Sequence, residues 1–303
     1  IHGILIEKFR EKGYSKLFLV SGLVVSLGIL IVFKYMDFII KNINYISNSN
    51  ITLLRLVLPI GISFYTFQGL SYIVDVYKKD AKVCRSFVDF ATYVCLFPQL
   101  IAGPIVRYTT IEDELKNRTH SFDKFAYGVN RFVVGLAKKV ILANNLGMLV
   151  DIMTKSNEKS VLSYWMVAIF FSLQIYYDFS GYSDMAIGLG RMFGFDFLEN
   201  FNYPFISKSI KEFWRRWHIS LSSFFRDYVY IPLGGNRVSR GRWIFNLLIV
   251  WSLTGLWHGD SWNFILWGLY FALLLIIENL FLQNILSKLP VLIQHIYAKF
   301  FII

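Results

Sequence analysis

His258 is the residue of this sequence for which a chemical role is most clearly indicated. It lies in a polar segment, residues 255–262, that joins the two apolar runs of residues 244–281. As one α-helix, residues 244–281 would be about 57 Å long, whereas the hydrocarbon core of a bilayer is about 30 Å thick. The stretch must therefore bend or break, and Gly255 and Gly259 are the expected positions because glycine tolerates irregular backbone.

The depth of His258 in the membrane predicts a functional role. If the apolar run enters at the basic residues 240–242, it rises about 21 Å before reaching this histidine. An ionisable side chain at that depth is by default a functional-site candidate. The alternative is an interfacial histidine, hydrogen-bonded beside Trp257 and Trp262 in an aromatic belt. The residues alone leave both interpretations open.

A second histidine, His218, lies in residues 207–230, which we predict to form one amphipathic helix. On a helical wheel, apolar side chains occupy one arc and a basic polar face lies opposite. Such a helix is expected to lie in the membrane interface, with His218 at the edge of the apolar arc. The imidazole can thus point into the protein while the arginines face water or lipid headgroups.

Two carboxylates, Asp178 and Asp184, lie between apolar runs and are costly there unless they are paired. They could bind substrate, pair with Arg191 or cap a helix, and structural pairing is the favoured interpretation. Other site types are not indicated. The sequence contains no HExxH or GxSxG motif, and its five histidines lack metal-ligand spacing. We therefore predict no metal site.

The composition predicts an integral membrane protein. Of 303 residues 55% are hydrophobic and 17% charged, which is too apolar for a soluble domain of this length. The net charge of +11 is typical of basic cytoplasmic loops and could also hold an anionic donor. Because the interleaved aromatic residues fit membrane belts better, nucleic acid is not an expected partner. Cys84 and Cys95 indicate neither a disulfide framework nor a zinc site.

Several apolar runs must position these residues. Residues 17–33 and 53–74 predict membrane spans, and residues 125–153 predict a helix with two lysines in its middle. Residues 87–106 are interrupted by Pro98 and by Gly103-Pro104, which favours a broken or re-entrant element, with a kinked span as the alternative. The chain begins at Ile1 and ends within an apolar run, so we expect a fragment of a longer protein.

Five motifs carry a family resemblance over roughly residues 53–281. The longest reads WRRWHISLS at 214–222 and continues as FRDYVYIPLGGNR at 225–237. The others are GISFYTFQ at 61–68, PQLIAGP at 98–104, YDFSGYSD at 177–184 and GLWHG at 255–259. Together they resemble the membrane-bound O-acyltransferase (MBOAT) family, in its bacterial branch of alginate and peptidoglycan O-acetylation proteins.

The resemblance implies one all-α, polytopic transmembrane helical domain over residues 1–303, with broken or re-entrant helices and an interfacial amphipathic helix. It implies a multi-pass protein of the bacterial cytoplasmic membrane that moves an acyl group, usually acetyl, from a cytoplasmic thioester. The acceptor would be a hydroxyl of an extracytoplasmic polysaccharide, either an alginate-like exopolysaccharide or peptidoglycan. Alternatives are D-alanyl transfer to teichoic acid, a transporter, and a non-catalytic assembly subunit.

The same resemblance assigns candidate residues and partners. His258 matches the family's active-site histidine and would act as general base, while His218 would orient the thioester carbonyl or donate to the oxyanion. Further donor- or substrate-binding candidates are Trp214, Arg215, Arg226, Asp227, Asn236, Trp257, Asp178 and Asp184. No bound cofactor is expected, and acetyl-CoA or another acyl thioester would be the donor. Expected partners are membrane lipids, the polysaccharide acceptor and an extracytoplasmic acetyltransferase- or esterase-like protein.

Overall fold

The structure is a computed structural model that describes residues 1–100, 103–157 and 160–301. Within these ranges the regular elements are helices and strands do not occur, as the expected all-α class requires. The helices are α1 (His2–Lys8), α2 (Ser15–Ser47), α3 (Ile62–Lys78), α4 (Phe87–Cys95), α5 (Tyr108–Ile111), α6 (Phe122–Lys155), α7 (Val161–Met192), α8 (Ile210–Arg216), α9 (Ile219–Phe225), α10 (Arg240–His258), α11 (Trp262–Leu286) and α12 (Val291–Phe301). Helices α2, α6 and α11 each contain a π-helical turn.

The chain forms two compact units. One contains Ile1–Phe90 together with the chain from Asn202 onward, and the other contains Ala91–Phe201. Both histidines of interest, His218 and His258, belong to the first unit, whereas Asp178 and Asp184 belong to the second. The expectation of a single membrane domain stays a prediction.

Three of the described helices, α2, α6 and α11, are long and apolar enough to cross a membrane. Helices α2 and α6 contain the predicted stretches 17–33 and 125–153. The predicted span at 53–74 was wrong in its first half, because residues 50–59 are not helical and α3 begins at Ile62. Pro59 disfavours helical backbone before it, and Gly61 adopts a left-handed φ of +75° at the start of α3.

The predicted break in residues 244–281 is confirmed, and it falls after His258. Helix α10 ends at His258, Gly259 is extended, and α11 begins at Trp262. Gly255 lies inside α10 and has a different role from the expected one. A Cβ atom there would lie 2.3 Å from the carbonyl oxygen of Phe264, so this glycine allows the backbones of α10 and α11 to approach closely.

The predicted single amphipathic helix at 207–230 is two helices, and the second continues through a π-helical turn, Arg226–Tyr230. Helix α8 ends at Arg216, Trp217 is extended, and His218 adopts a left-handed φ of +44° before α9 begins. A helical wheel assumes unbroken helical backbone, so it could not reveal this change of direction. The interfacial position of the segment stays a prediction.

The predicted interruption in residues 87–106 is confirmed. Helix α4 ends at Cys95, and the described residues from Leu96 to Val106 are not helical. Ile101 and Ala102, which belong to the family-like motif at 98–104, lie outside the described residues.

Candidate functional site

Both histidines line one cavity in the first unit. This cavity, called cavity A, has a volume of about 550 Å³. Four of the other predicted donor-binding residues also line it: Trp214, Arg215, Arg226 and Asn236. The tertiary structure thus brings together side chains that are spread over residues 214–258 of the chain.

A second cavity in the same unit, cavity B, also reaches His258. It measures about 420 Å³ and is lined by apolar side chains together with Lys34, Asp37 and Asp260. Asp37 accepts hydrogen bonds from the backbone N–H groups of Leu54 and Arg55, which fixes the non-helical segment along one side of the cavity. Among the described lining residues, His258 is the one that cavities A and B share.

His258 occupies the last position of α10 and is accessible to solvent. Its imidazole packs edge-on against two indole rings, with centroids 5.0 Å from Trp257 and 4.7 Å from Trp267. These contacts hold the ring while leaving it exposed to both cavities. A histidine held in this way can accept a proton from a hydroxyl that approaches from either side.

His218, by contrast, is buried, with 2% of its surface exposed. Its Nδ1 lies 3.5 Å from the hydroxyl oxygen of Ser220, and its ring centroid lies 5.5 Å from that of Trp257. Left-handed backbone is uncommon for residues other than glycine and is often found at functional sites, where the surrounding structure maintains it. The side chain of His218 lies in the lining of cavity A, which His258 also lines.

The two predicted tryptophans differ in their surroundings. Trp257 contacts both histidines, as described above. Trp214 lies in an aromatic cluster, edge-on to Trp251 at 4.8 Å and to Phe271 at 4.9 Å. Within the described part of the chain, its buried indole nitrogen has no hydrogen-bond acceptor. Trp214 therefore contributes mainly an apolar wall to cavity A.

The polar candidates Arg226, Asp227 and Asn236 hydrogen-bond to side chains near them in the sequence. Arg226 donates two hydrogen bonds to the carboxylate of Asp227, at 2.6 and 3.1 Å, and most of its side chain is exposed. Asn236 accepts a hydrogen bond from the hydroxyl of Tyr230. Asp227 is thus a partner that orients Arg226 rather than a residue of the cavity lining.

Asp178 and Asp184 are paired with cations in the second unit. Asp184 is buried and binds Arg131 at 2.6 Å and Lys138 at 2.5 Å, and Asp178 pairs with Lys139. Structural pairing was the favoured interpretation, but the expected partner was wrong, since Arg191 binds Asp196. Arg191 lies two turns beyond Asp184 on α7, about 10 Å away, whereas the observed cations come from α6.

Lys34 and Tyr35 belong to the surroundings of His258 but are not among the predicted site residues. Lys34 donates hydrogen bonds to the carbonyl oxygen of Trp257 at 2.5 Å and to the hydroxyl of Ser63 at 3.0 Å. Tyr35 donates to the carbonyl oxygen of Leu256 at 2.7 Å. The signal in the sequence is a lysine, Lys34, that is followed by further apolar residues at 38–40, so that it lies within an apolar stretch and not at its end.

Glu278 was also missed, although a carboxylate in an apolar run is a recognisable signal. It is 2% exposed and accepts the backbone N–H groups of Ile210 at 2.6 Å and of Lys211 at 3.2 Å. These donors belong to the first turn of α8, which has no helical partners for them. Glu278 therefore attaches α8, and through it the segment that leads to His218, to α11.

Comparison with known proteins places this site in a family. A probable alginate O-acetylase of Azotobacter vinelandii is 48% identical over 265 residues, which are 86% of this chain and 53% of that protein. The peptidoglycan O-acetyltransferase of Helicobacter pylori is 38% identical over 302 residues, covering 90% of this chain and 57% of that protein. The teichoic acid D-alanyltransferase of Bacillus subtilis is 32% identical over 240 residues, covering 75% of this chain and 60% of that protein.

The chain spans about half the length of the alginate O-acetylases that it matches. The sequence model of the membrane-bound O-acyltransferase family matches residues 83–288, a range that includes both histidines and the aromatic residues around them. With three apolar helices of membrane-spanning length, this is a membrane protein, and the chain belongs to the membrane-bound O-acyltransferase family.

Proposed function

We propose that the protein is a membrane O-acyltransferase that moves an acetyl group from a thioester to a hydroxyl of an extracytoplasmic polysaccharide. The observation that carries this proposal is the position of His258, which lines both cavity A and cavity B. A donor in one cavity and an acceptor in the other would meet at a single imidazole. Acyl transfer between two compartments requires such a meeting point.

His258 would act as general base. Its imidazole takes the proton of the acceptor hydroxyl, and the oxygen attacks the thioester carbonyl carbon. As the carbon–sulfur bond breaks, the imidazolium returns the proton to the leaving sulfur, which releases the thiol and restores the neutral imidazole. General base catalysis of this kind typically contributes about 10²–10⁴-fold to the rate. His218, in the same cavity, would orient the thioester carbonyl or donate a hydrogen bond to the oxyanion.

Cavity A is the proposed donor side. Lys211, Arg215 and Arg226 line it and give it a positive lining that suits the phosphates of acetyl-CoA or an acidic acyl carrier. Lipid headgroups are also attracted to basic residues at a membrane surface. We place the protein in the bacterial cytoplasmic membrane, which its chain would cross several times. In this proposal, cavity A opens to the cytoplasm, where the donor is found.

The proposed acceptor is an alginate-like exopolysaccharide or peptidoglycan, because the relatives with 38–48% identity are described as O-acetylases or O-acetyltransferases of these polymers. An extracytoplasmic acetyltransferase- or esterase-like protein is the proposed partner that completes the transfer. D-alanyl transfer to teichoic acid is the second candidate, supported by the 32% identical relative.

The experiment is to release ester-linked acetate with mild base from the surface polysaccharide and from the peptidoglycan of producing cells. Wild type, a deletion, His258→Ala and the control His120→Ala are compared, with membrane levels of each protein measured. His120 is exposed and belongs to the other unit. Loss of acetate from one polymer in the deletion and in His258→Ala, but not in His120→Ala, supports the proposal and identifies the acceptor.

Two results would contradict this proposal. Unchanged acetate in the deletion excludes O-acetylation of both polymers, and ester-linked D-alanine is then measured in the same cells. Acetate lost in the deletion but retained in His258→Ala would favour a transporter or an assembly subunit, since neither needs a histidine for chemistry.

A further inference from the structure

The carbonyl end of α10 needs hydrogen-bond donors from elsewhere in the protein. The last carbonyl groups of any helix have no following turn to donate to them. Helix α10 stops at His258, and the N–H of Gly259 reaches only the carbonyl of Gly255, at 3.4 Å. The carbonyl groups of Leu256 and Trp257, directly before His258, therefore depend on other partners.

Helix α2 supplies both donors. The ammonium of Lys34 donates to the carbonyl oxygen of Trp257, and the hydroxyl of Tyr35 donates to that of Leu256. Both residues lie in the π-helical turn Ile31–Tyr35. Such turns inside α-helices are frequent at functional sites, because the additional residue in the turn changes the direction of neighbouring side chains.

The same helix also contacts the chain after His258. Asn42 accepts a hydrogen bond from the indole N–H of Trp262 at 2.8 Å, and Phe38 packs edge-on against the same indole at 5.7 Å. Lys34, Phe38 and Asn42 follow each other at intervals of four residues and therefore share one face of α2. This face holds both sides of the break between α10 and α11.

Lys34 differs from the other residues of this face in its charge. A cation stabilises the carbonyl end of a helix, where the helix dipole is negative. An ammonium group in an apolar helix is costly, so its placement there is expected to serve a function. Lys34 lines cavity B together with His258. Its hydrogen bond to Trp257 thus acts on the residue next to the proposed base.

We propose that Lys34 is a positioning residue for acyl transfer, which fixes the carbonyl end of α10 and thereby the imidazole of His258. This inference rests on the proposed function. Lys34 acts through the backbone of Trp257, so its loss should lower the turnover number and leave donor binding in cavity A unchanged. Misplacement of a catalytic group by about 1 Å can cost roughly 10²-fold in rate.

The first test measures acetyl transfer in membranes containing wild type, Lys34→Met, Lys34→Arg or the control Lys41→Met. Lys41 is an exposed lysine of the same helix. We expect Lys34→Met to lower the turnover number roughly 10–100-fold with little change in the KM of the donor. Lys34→Arg should recover much of the lost rate, because it keeps a positive donor, and Lys41→Met should match wild type.

A wild-type rate in Lys34→Met would overturn the inference, and so would a rate in Lys34→Arg as low as that in Lys34→Met. A reduced rate that comes entirely from a raised donor KM would also overturn it, because Lys34 would then act on binding.

The second test does not depend on activity. Hydrogen–deuterium exchange of peptides covering residues 255–262 is compared between wild type, Lys34→Met and Lys41→Met in detergent. Faster exchange in Lys34→Met alone supports the positioning contact, and equal exchange in all three overturns it. If wild type itself transfers no acetyl group, the proposed function fails, while the exchange measurement still decides whether Lys34 holds the end of α10.

Discussion

His218 and His258 contact the same indole ring, that of Trp257, with centroid distances of 5.5 and 5.0 Å. His258 is at the end of α10 and His218 precedes α9, so this one ring links the two elements that carry the proposed catalytic side chains. A change in either element is therefore expected to affect the geometry of both histidines.

Replacement of His258 tests the general base directly. His258→Ala and His258→Gln should each lower the turnover number by about 10²–10⁴-fold, because neither side chain can accept the hydroxyl proton. Glutamine keeps a polar side chain of similar length, so an equal loss in both variants separates proton transfer from packing. Initial rates in membranes with equal protein levels are the measurement. Substantial activity in His258→Gln would contradict the assignment.

Two substitutions of His218 separate the chemical role of its imidazole from the backbone strain of its left-handed conformation. His218→Ala and His218→Gly both remove the imidazole, and both should lower the turnover number about 10²–10³-fold if it stabilises the oxyanion. Only glycine adopts the left-handed conformation without a penalty of about 1–2 kcal/mol. We therefore expect His218→Gly to unfold at a higher temperature than His218→Ala. If His218→Ala unfolded at the higher temperature, the left-handed conformation at this position would not destabilise the protein.

The close approach of α10 and α11 predicts a difference between two glycines of one helix. A Cβ atom at Gly255 would lie 2.3 Å from the carbonyl oxygen of Phe264, whereas nothing lies within 4 Å of one at Gly241. Gly255→Ala should therefore destabilise the protein by about 1–3 kcal/mol and reduce activity. Gly241→Ala should be neutral or slightly stabilising. Thermal unfolding of both variants in detergent distinguishes these outcomes, and equal stability would argue against the close contact.

Two substitutions of Glu278 are expected to destabilise the protein to different extents. Glu278→Leu leaves the N–H groups of Ile210 and Lys211 without their acceptor, which costs about 1–3 kcal/mol for each buried donor. Glu278→Gln keeps an acceptor oxygen and should lie between wild type and Glu278→Leu. The unfolding temperature and the yield of folded protein are measured for each variant. A leucine variant as stable as wild type would show that α8 does not need this attachment.

Much of the fold follows from local sequence. The long apolar runs in α2 and α6 predict helices because a chain can cross the apolar layer only with its backbone hydrogen bonds satisfied. The prolines at 98 and 104 predict an interruption because the residue before a proline is disfavoured in helical conformation. The position of His258 at a break is local as well, since residues 244–281 exceed the thickness of a bilayer. The family motifs added the expected roles of His218 and His258.

The sequence by itself therefore determined the membrane class, the long helices α2 and α6, and the two histidines. Only the tertiary structure decided that His258 lines two cavities, that Asp184 pairs with cations of α6, and that Lys34 holds the end of α10. Lys34 and Trp257 are 223 positions apart. Helical periodicity indicates which face of a helix is apolar, but a hydrogen bond between distant helices depends on how they pack, and no local pattern contains that information.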